Sequence, residues 1–553
     1  MRHVLPAAGL SVLFIAACGG PKAETVVMNG MVWTGLSSGE AQPGAVAIRA
    51  GKILAVGDSA DVARTVGSRT AVIDARGGLV LPGFADGHTH FVQGGFQLAS
   101  LDLRDAATPE EFVRRIAAFA RTRQPGQWIQ GGDWDHTLWR GQPLPRREWI
   151  DSVTPDNPVF ISRLDGHEAL ANTAAIRAAG VTKATPTPSG GEILHDARTG
   201  EPTGIFKDQA LDLIGKAIPA PSAEEMDSAV ARAMAYAASL GVTATANMSA
   251  SWADLASYRR LERAGRMTLR VYLYFPIDGW RAVADTVRAG GAGDEWVHIG
   301  GLKGFMDGSA GSRTAYFFDA YDDSAGYRGL LQNTEADMRT WIGNADSAGL
   351  QVAVHAIGDR ANAMLLAIYD SVARAHGARD RRFRVEHAQH LRPEDIPLFG
   401  RLRIVPSMQP YHAIDDGRWV EQRIGPERIK STYAFRTLLE TEAPLAFGSD
   451  WTVATLDPLW GLYAAVTRRT LDGKHPEGWV PDQKITLAQA LHAYTAGNAW
   501  AVFAENQWGT LAPGRDADVV VVDHNLFAMP PESLATARVA VTIVGGKVVY
   551  RKS

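Results

Sequence analysis

The sequence contains a single cysteine, Cys18, among its 553 residues. Disulfide bonds within the chain and metal sites built from several thiolates are therefore excluded. Acidic and basic residues are interspersed and nearly balanced, with a formal net charge of −4, so the charge pattern gives no reason to expect a nucleic-acid partner. The sequence also lacks a repeat of fixed period and a long low-complexity tract, which favours one folded protein.

Long apolar runs are absent after residue 20, so the body of the chain is expected to be soluble. The N-terminus differs, because the basic start Met1–His3 is followed by an apolar stretch over 4–17 that is typical of a signal peptide. This stretch ends in IAACG (15–19), which resembles the bacterial lipobox, so residues 1–18 are interpreted as a signal peptide. We expect Cys18 to be lipidated and to anchor an exported protein to a membrane, facing the periplasm or the cell exterior. A plain secretory signal cleaved near Ala17 is the alternative.

The chain is too long for one core of ordinary size, and its strand pattern predicts two parts. Short strand-like segments fill 25–80, beginning with a hairpin candidate that turns at Asn29-Gly30, and similar segments return over 517–550. We therefore predict a small β-sandwich domain made from both chain ends, residues 23–80 and 505–553. Residues 81–504 would form the large domain.

The large domain alternates strand-like and helix-like segments, which is typical of an α/β fold with a parallel sheet. Eight strands is the number in a (β/α)8 TIM barrel, whose chemistry lies at the carboxyl ends of the strands. A long segment after the first strand, about 92–241, is predicted to be an insertion that lines one wall of the active site. The eight strand candidates are 84–90, 243–247, 270–275, 299–305, 352–355, 383–387, 404–408 and 444–449.

His88 and His90 are the first candidate site residues. They stand at i and i+2 of a predicted strand, so both imidazoles point to the same face and could bind one metal ion. Such a pair on its own is weak evidence, because two structural histidines would explain it equally simply.

Four more side chains end predicted strands at the same rim of the barrel. Lys303 ends the fourth strand, His355 the fifth, His387 the sixth and Asp450 the eighth. Each has an ordinary explanation when taken alone: the lysine could pair with Asp307, the histidines could be hydrogen-bonded core residues, and Asp450 could cap a turn. Six metal-ligand types at one rim are much harder to explain without a metal.

Several segments resemble the amidohydrolase superfamily, and specifically the amidohydrolase family 3 branch that includes N-substituted formamide deformylase-like enzymes. The resemblance covers nearly everything after residue 24, and its segments are LPGFADGHTH (81–90), KGFMDGSAGSRTA (303–315), VHAIGD (354–359), RVEHAQ (384–389), AFGSDW (446–451) and GTLAPG (509–514).

The resemblance implies a role for each candidate ligand. His88 and His90 would hold the more buried of two metal ions, and His355 and His387 the outer one. Lys303 would be carboxylated on its amine and bridge both ions. Asp450 would bind metal and the nucleophilic water.

The chemistry of these side chains agrees with that assignment. A protonated lysine has no lone pair, so Lys303 can be a ligand only with a neutral amine or as a carbamate derived from carbon dioxide. We expect two divalent ions, with zinc favoured over manganese or iron, that lower the pKa of a bridging water to about 7. Asp450 would take a proton from the attacking hydroxide and pass it to the leaving nitrogen.

A second set of residues is predicted to contact the substrate. His167, in a segment around 165–172 that also resembles the family, could donate a hydrogen bond to the substrate as a catalytic residue. An insertion-domain histidine bonded to the backbone is the alternative. The other candidates lie after barrel strands or in the insertion and are Asp135, Asp307, Arg313, Gln409 and His412. A loop-stabilising ion pair is the alternative for Asp307 and Arg313.

The sequence therefore predicts a hydrolase that cleaves a non-peptide carbon–nitrogen bond of the amide type in a small molecule. The same centre acting on an ester, lactone or phosphoester is one alternative, and a non-catalytic barrel scaffold is another. The scaffold predicts missing ligands, yet none of the six is absent. The identity of the substrate does not follow from the fold, and a homodimer is compatible with the sequence.

Overall fold

The computed structural model describes residues 21–37, 39–163, 168–188 and 191–552. Its strands, numbered β1–β22 along the chain, form three sheets within these residues. Both ends of the described chain contribute to the first sheet, in which β5 and β20 pair antiparallel. Its strands are β1 (Thr25–Val32), β2 (Gln42–Arg49), β3 (Lys52–Gly57), β4 (Ala71–Asp74), β5 (Leu79–Pro82), β20 (Val519–Val522), β21 (Val539–Val544) and β22 (Lys547–Arg551).

The strand order of this sheet is β22-β21-β20-β5-β1-β2-β3, with β4 also paired to β1. Because all eight strands are hydrogen-bonded into one sheet, the predicted two-sheet sandwich is not confirmed. The strand-like pattern of the sequence could not separate the two arrangements, since a strand with one buried face has the same alternation in a sandwich and in a single packed sheet.

The second sheet is parallel and has eight strands in the order β19-β18-β17-β16-β15-β14-β13-β6. A parallel bridge between Thr89 and Trp451 brings its first and last strands together, so the sheet is nearly closed. This confirms the predicted TIM-like barrel. The strands are β6 (Phe84–Thr89), β13 (Val242–Asn247), β14 (Arg270–Pro276), β15 (Val297–Phe305), β16 (Val352–Ala356), β17 (Arg384–His387), β18 (Val405–Met408) and β19 (Ala446–Phe447).

Glycine and asparagine allow the first and last barrel strands to approach closely. A Cβ atom at Gly448 would lie only 2.5 Å from the backbone nitrogen of His88, so no larger residue fits there without movement. The Asn498 amide nitrogen donates to the carbonyl oxygens of Ala85 (2.6 Å) and Phe447 (2.8 Å). These contacts hold the carboxyl ends of both strands at one rim.

The third sheet belongs to the segment between β6 and β13, and its strand order is β11-β12-β10-β9-β8-β7. It has an apolar core of its own, in which the buried Trp134 stacks on Trp139. The strands are β7 (Leu101–Asp102), β8 (Gly131–Trp134), β9 (Phe160–Arg163), β10 (Glu168–Ala171), β11 (Gly191–His195) and β12 (Pro202–Asp208).

Helices surround the barrel and cover the ends of the sheets. The long helix just before β13 begins at a capping box of Ser222 and Glu225, which satisfies two backbone N–H groups at its start. No helix in the described ranges is both long and apolar enough to cross a bilayer. The helices are α1 (Ser59–Ala63), α2 (Phe91–Gln97), α3 (Pro109–Ala120), α4 (Arg147–Asp151), α5 (Thr173–Ala178), α6 (Leu211–Gly215), α7 (Ala223–Ser239), α8 (Trp252–Arg263), α9 (Trp280–Gly290), α10 (Glu335–Ser347), α11 (Asp359–His376), α12 (Ile396–Leu402), α13 (Pro410–Asp416), α14 (Glu421–Arg428), α15 (Phe435–Glu440), α16 (Pro458–Thr467), α17 (Leu487–Ala493) and α18 (Ala496–Ala501).

Candidate metal centre

The six predicted ligands lie at or just beyond the carboxyl ends of five barrel strands. Since the strands are parallel, these ends share one rim, and residues separated by hundreds of positions become neighbours. Five of the six side chains are buried, and His90 is the partly exposed member.

Asp450 lies between the two histidines of the first strand. Its Oδ1 atom is 3.5 Å from His88 Nε2 and 3.3 Å from His90 Nε2. One donor atom from each of the three residues lies within 4.8 Å of the others. Two imidazoles and a carboxylate at this separation are a donor set that zinc and similar cations bind.

His387 joins this group to the next strands. Its ring centroid is 4.9 Å from that of His88 and 4.6 Å from that of His355. One nitrogen of His387, one of His412 and a carboxylate oxygen of Asp450 form a second trio whose atoms lie within 4.8 Å of one another. Asp450 is therefore common to two groups of candidate ligands.

Burial keeps these imidazoles neutral. It lowers the pKa of His88 to about 4 and that of His355 to about 3, and it holds the pKa of His387 well below the usual value. A neutral imidazole has one nitrogen with a free lone pair, which is the form that binds a metal ion.

Lys303 is buried beside the same histidines, with Nζ 3.4 Å from His88 Nε2. Burial lowers the pKa of its amine to about 8. Within the described part of the chain Lys303 has no ion-pair partner, so the alternative salt bridge with Asp307 is not formed. An amine that loses its proton this readily is suited to carbamylation, which needs the neutral form.

Two candidate ligands have strained backbone conformations. His387 has φ +74° and Asp450 has φ +58°, in the left-handed region that few residues other than glycine adopt. Such strain occurs where the surrounding structure fixes a side chain for function. Asp450 Oδ1 is also buried and has no hydrogen-bond partner among the described residues. A buried, unpartnered carboxylate oxygen facing imidazole nitrogens is the arrangement that a divalent cation would complete.

Comparison with known proteins agrees with this geometry. The sequence model of amidohydrolase family 3 matches residues 71–550. The chain belongs to the amidohydrolase family. Its sequence is 39% identical to the protein LONG AFTER FAR-RED 3 of Arabidopsis thaliana over 96% of this chain and 92% of that protein. It is 27% identical to N-substituted formamide deformylase of Arthrobacter pascens over 92% of this chain and 95% of that enzyme.

A solved structure has a fold similar to that of this amidohydrolase. An uncharacterized metal-dependent hydrolase from Pyrococcus horikoshii superposes with a TM-score of 0.76 at 29% identity, covering 92% of this chain and 98% of that one. Together with the family match, this shows that the chain is a metal-dependent hydrolase of the amidohydrolase superfamily.

A buried network orients the ligands of this amidohydrolase. His88 Nδ1 is 2.6 Å from Glu386 Oε2, and Arg384 donates to the other oxygen of Glu386 at 2.7 Å. His387 Nδ1 is 2.8 Å from Gln409 Oε1. In each histidine the bonded nitrogen is fixed, which leaves the other nitrogen for a metal ion. Glu386 directly precedes His387 in the sequence, and both side chains lie against His88.

Replacing Glu386 with glutamine is expected to lower the affinity for metal about 10–100-fold, because the amide removes the charge that orients His88 and raises its basicity. It also leaves Arg384 without its buried anionic partner, so the melting temperature should fall. Competition with a chelator measures the affinity. The exposed Glu394, changed to glutamine, is the matched control. Equal metal affinity in both variants would show that Glu386 does not support the centre.

Two of the predicted substrate contacts are engaged elsewhere. Asp307 is fully buried and accepts the backbone N–H groups of Tyr316, Ile357 and Gly358, so its carboxylate holds the loop after β15 in place. Arg313 donates to Asp323 at 2.8 Å. The alternative ion pair between Asp307 and Arg313 is therefore not formed, and Asp307 Oδ1 instead lies 3.6 Å from His355 Nε2.

The remaining residues that were predicted to contact the substrate lie at different distances from the metal centre. Asp135 is half-buried in the insertion and lies 3.4 Å from Arg163. Gln409 is buried and contacts His387, so it positions a ligand. His412 lies at the centre itself. His167, predicted as a catalytic residue, and Cys18 lie outside the described residues.

The sequence analysis did not single out Asp86, which also supports the site. This buried carboxylate accepts the backbone N–H of His88 at 3.0 Å and that of Ser449 at 3.0 Å. It therefore ties the first ligand strand to the loop that carries Asp450. Only its place in the LPGFADGHTH segment, two residues before His88, could have indicated this role.

Proposed function

We propose that this amidohydrolase cleaves a carbon–nitrogen bond of the amide type in a small molecule. The observation that carries the proposal is the convergence of four imidazoles, Lys303 and Asp450 at one barrel rim, with a buried Asp450 oxygen that lacks a partner. The relative named N-substituted formamide deformylase supports an amide as the bond that is cleaved.

The donor set suits two divalent ions, with zinc favoured because imidazoles dominate. His88 and His90 would hold one ion, and His355 and His387 the other. Lys303, as a carbamate, would supply an anionic oxygen to both. Ions bound there would polarise the substrate carbonyl and lower the pKa of a water molecule to about 7, which provides hydroxide at neutral pH.

Asp450 is the residue that moves the proton in this proposal. Its carboxylate lies between the two ligand groups, so it can accept the proton of the attacking hydroxide as the carbon–oxygen bond forms. It then donates that proton to the leaving nitrogen as the carbon–nitrogen bond breaks. The products are a carboxylic acid and an amine, which balances the addition of one water.

A substrate panel tests the proposal. Formamides, N-acyl amino acids, esters, lactones and phosphoesters are assayed with the native enzyme, the chelator-treated enzyme and the enzyme reloaded with zinc. We expect amide turnover that disappears with the metal and returns with zinc. Turnover of oxygen esters alone would overturn the carbon–nitrogen assignment, and amide turnover that survives complete metal removal would overturn the metal-dependent mechanism.

We also propose that Cys18 carries the lipid anchor of an exported protein. The apolar stretch and lipobox-like IAACG support it, and a diacylated cysteine provides the two acyl chains that stable anchoring needs. The Cys18→Ala variant should move from the membrane fraction to the aqueous fraction and lose label from a radioactive fatty acid. Ser11→Ala, a change in the same segment, is the control and should stay at the membrane. Wild-type protein without label would contradict the proposal.

A further inference from the structure

His412 occupies a position that the six-ligand scheme leaves unexplained. It lies on α13, the helix that follows barrel strand β18, a strand from which none of the six predicted ligands comes. Its Nε2 atom is buried and makes no hydrogen bond to any residue in the described ranges. A buried polar atom without a partner is costly, so its presence points to a group that binds there.

The distances place His412 with the metal ligands. One atom each from His412, His387 and Asp450 lies within 4.8 Å of the other two. Three donors on one zinc ion, with bonds of about 2.0–2.2 Å, are separated by about 3.3–3.8 Å. Side-chain movements of about 1 Å or less would therefore bring all three onto one ion.

The start of α13 is built to hold this arrangement. Gln409, the residue before the helix, fixes His387 Nδ1 at 2.8 Å, and His412 follows three positions later, with its ring nearly parallel to that of His387 at an interplanar angle of 11°. His355, the other candidate for the outer ion, has its Nε2 atom 3.0 Å from the carbonyl oxygen of Gly308. Its second nitrogen is left for metal.

We infer that His412 is a direct ligand of the outer metal ion, which makes it a seventh protein side chain of the metal centre. The inference rests on the proposed function only in requiring that the centre holds metal. A substrate-contacting role, the original prediction for His412, is the competing outcome of the test.

Two substitutions separate these roles. His412→Phe keeps a flat ring against His387 but removes both nitrogens, whereas His412→Asp restores a metal-binding atom without an imidazole. His524→Phe, which removes an exposed histidine at the end of β20, is the matched control. Metal content after dialysis against a competing chelator and the visible absorption spectrum of the cobalt-loaded protein are measured for all four proteins.

We expect the wild type and His524→Phe to retain their metal equally and to have the same cobalt spectrum. In His412→Phe the affinity for the weaker-bound ion should fall at least about tenfold, and the cobalt spectrum should change because a ligand is lost. His412→Asp should recover part of the affinity. The melting temperature of the metal-free proteins shows whether the fold is retained. If His412→Phe does not fold, His412→Asn is measured in the same two ways.

An unchanged metal affinity and cobalt spectrum in His412→Phe would overturn the inference, even if turnover were lost, because the residue would then act on substrate. Wild-type protein that binds no zinc or cobalt would instead overturn the proposed function. The two failures are therefore distinguishable from the metal content of the wild type alone.

Discussion

Changing Asp450 to asparagine is expected to lower kcat on the order of 10³–10⁴-fold, because the amide has nearly the same size but cannot accept the proton of the attacking hydroxide. The loss should appear with every substrate, since proton transfer is common to all of them. KM should change much less, because the substitution leaves the walls of the pocket intact.

The surroundings of Asp450 agree with this role. Its Oδ1 atom is buried and unpartnered within the described chain, and the groups that face it are the imidazoles of His88 and His90 at 3.5 and 3.3 Å. Initial rates and metal content are compared with those of Asp285→Asn, an exposed aspartate on α9. Wild-type turnover in Asp450→Asn with a full metal complement would refute the proton-transfer role.

Changing Lys303 to methionine is expected to remove bound metal and to lower activity on the order of 10³-fold or more, because no preorganised anionic group would remain between the two ions. Lys303 is buried, and its amine lies 3.4 Å from His88 Nε2, so methionine fits the space without the charge. Lys303→Glu supplies a carboxylate on a side chain that is shorter than a carboxylated lysine. This variant should bind more metal than the methionine variant.

The carbamate on Lys303 can also be detected directly, from the mass of the protein. Intact-protein mass at neutral pH should exceed the mass of the same protein after acid treatment by one carbon dioxide unit. Lys430→Met, an exposed lysine, is the control and should keep the full mass, metal and activity. Full metal loading of a wild-type protein that carries no added carbon dioxide would show that the Lys303 amine binds metal in its unmodified form or not at all.

The barrel could be predicted because its strands are local signals. Segments such as 243–247 and 352–355 are short strand-like segments between amphipathic helices, and the structure has strands at Val242–Asn247 and Val352–Ala356. The two chain ends pair through β5 and β20, which are separated by more than 400 residues, as the strand pattern predicted. The two-sheet sandwich is not confirmed, because strand alternation does not specify how many sheets the strands form.

The sequence by itself determined the chemical types at the rim: two histidines two positions apart on one strand, and single ligands that end other strands. These follow from the period of a strand and from the parallel topology, which are readable locally. Only the tertiary structure decided the partner of each side chain. Glu386 orients His88 from a strand 298 positions away, Asp307 is taken by backbone N–H groups, and His412 reaches the ligands from a helix. Hydrogen-bond partners in a barrel come from neighbouring strands that are distant in sequence, so no local pattern can specify them.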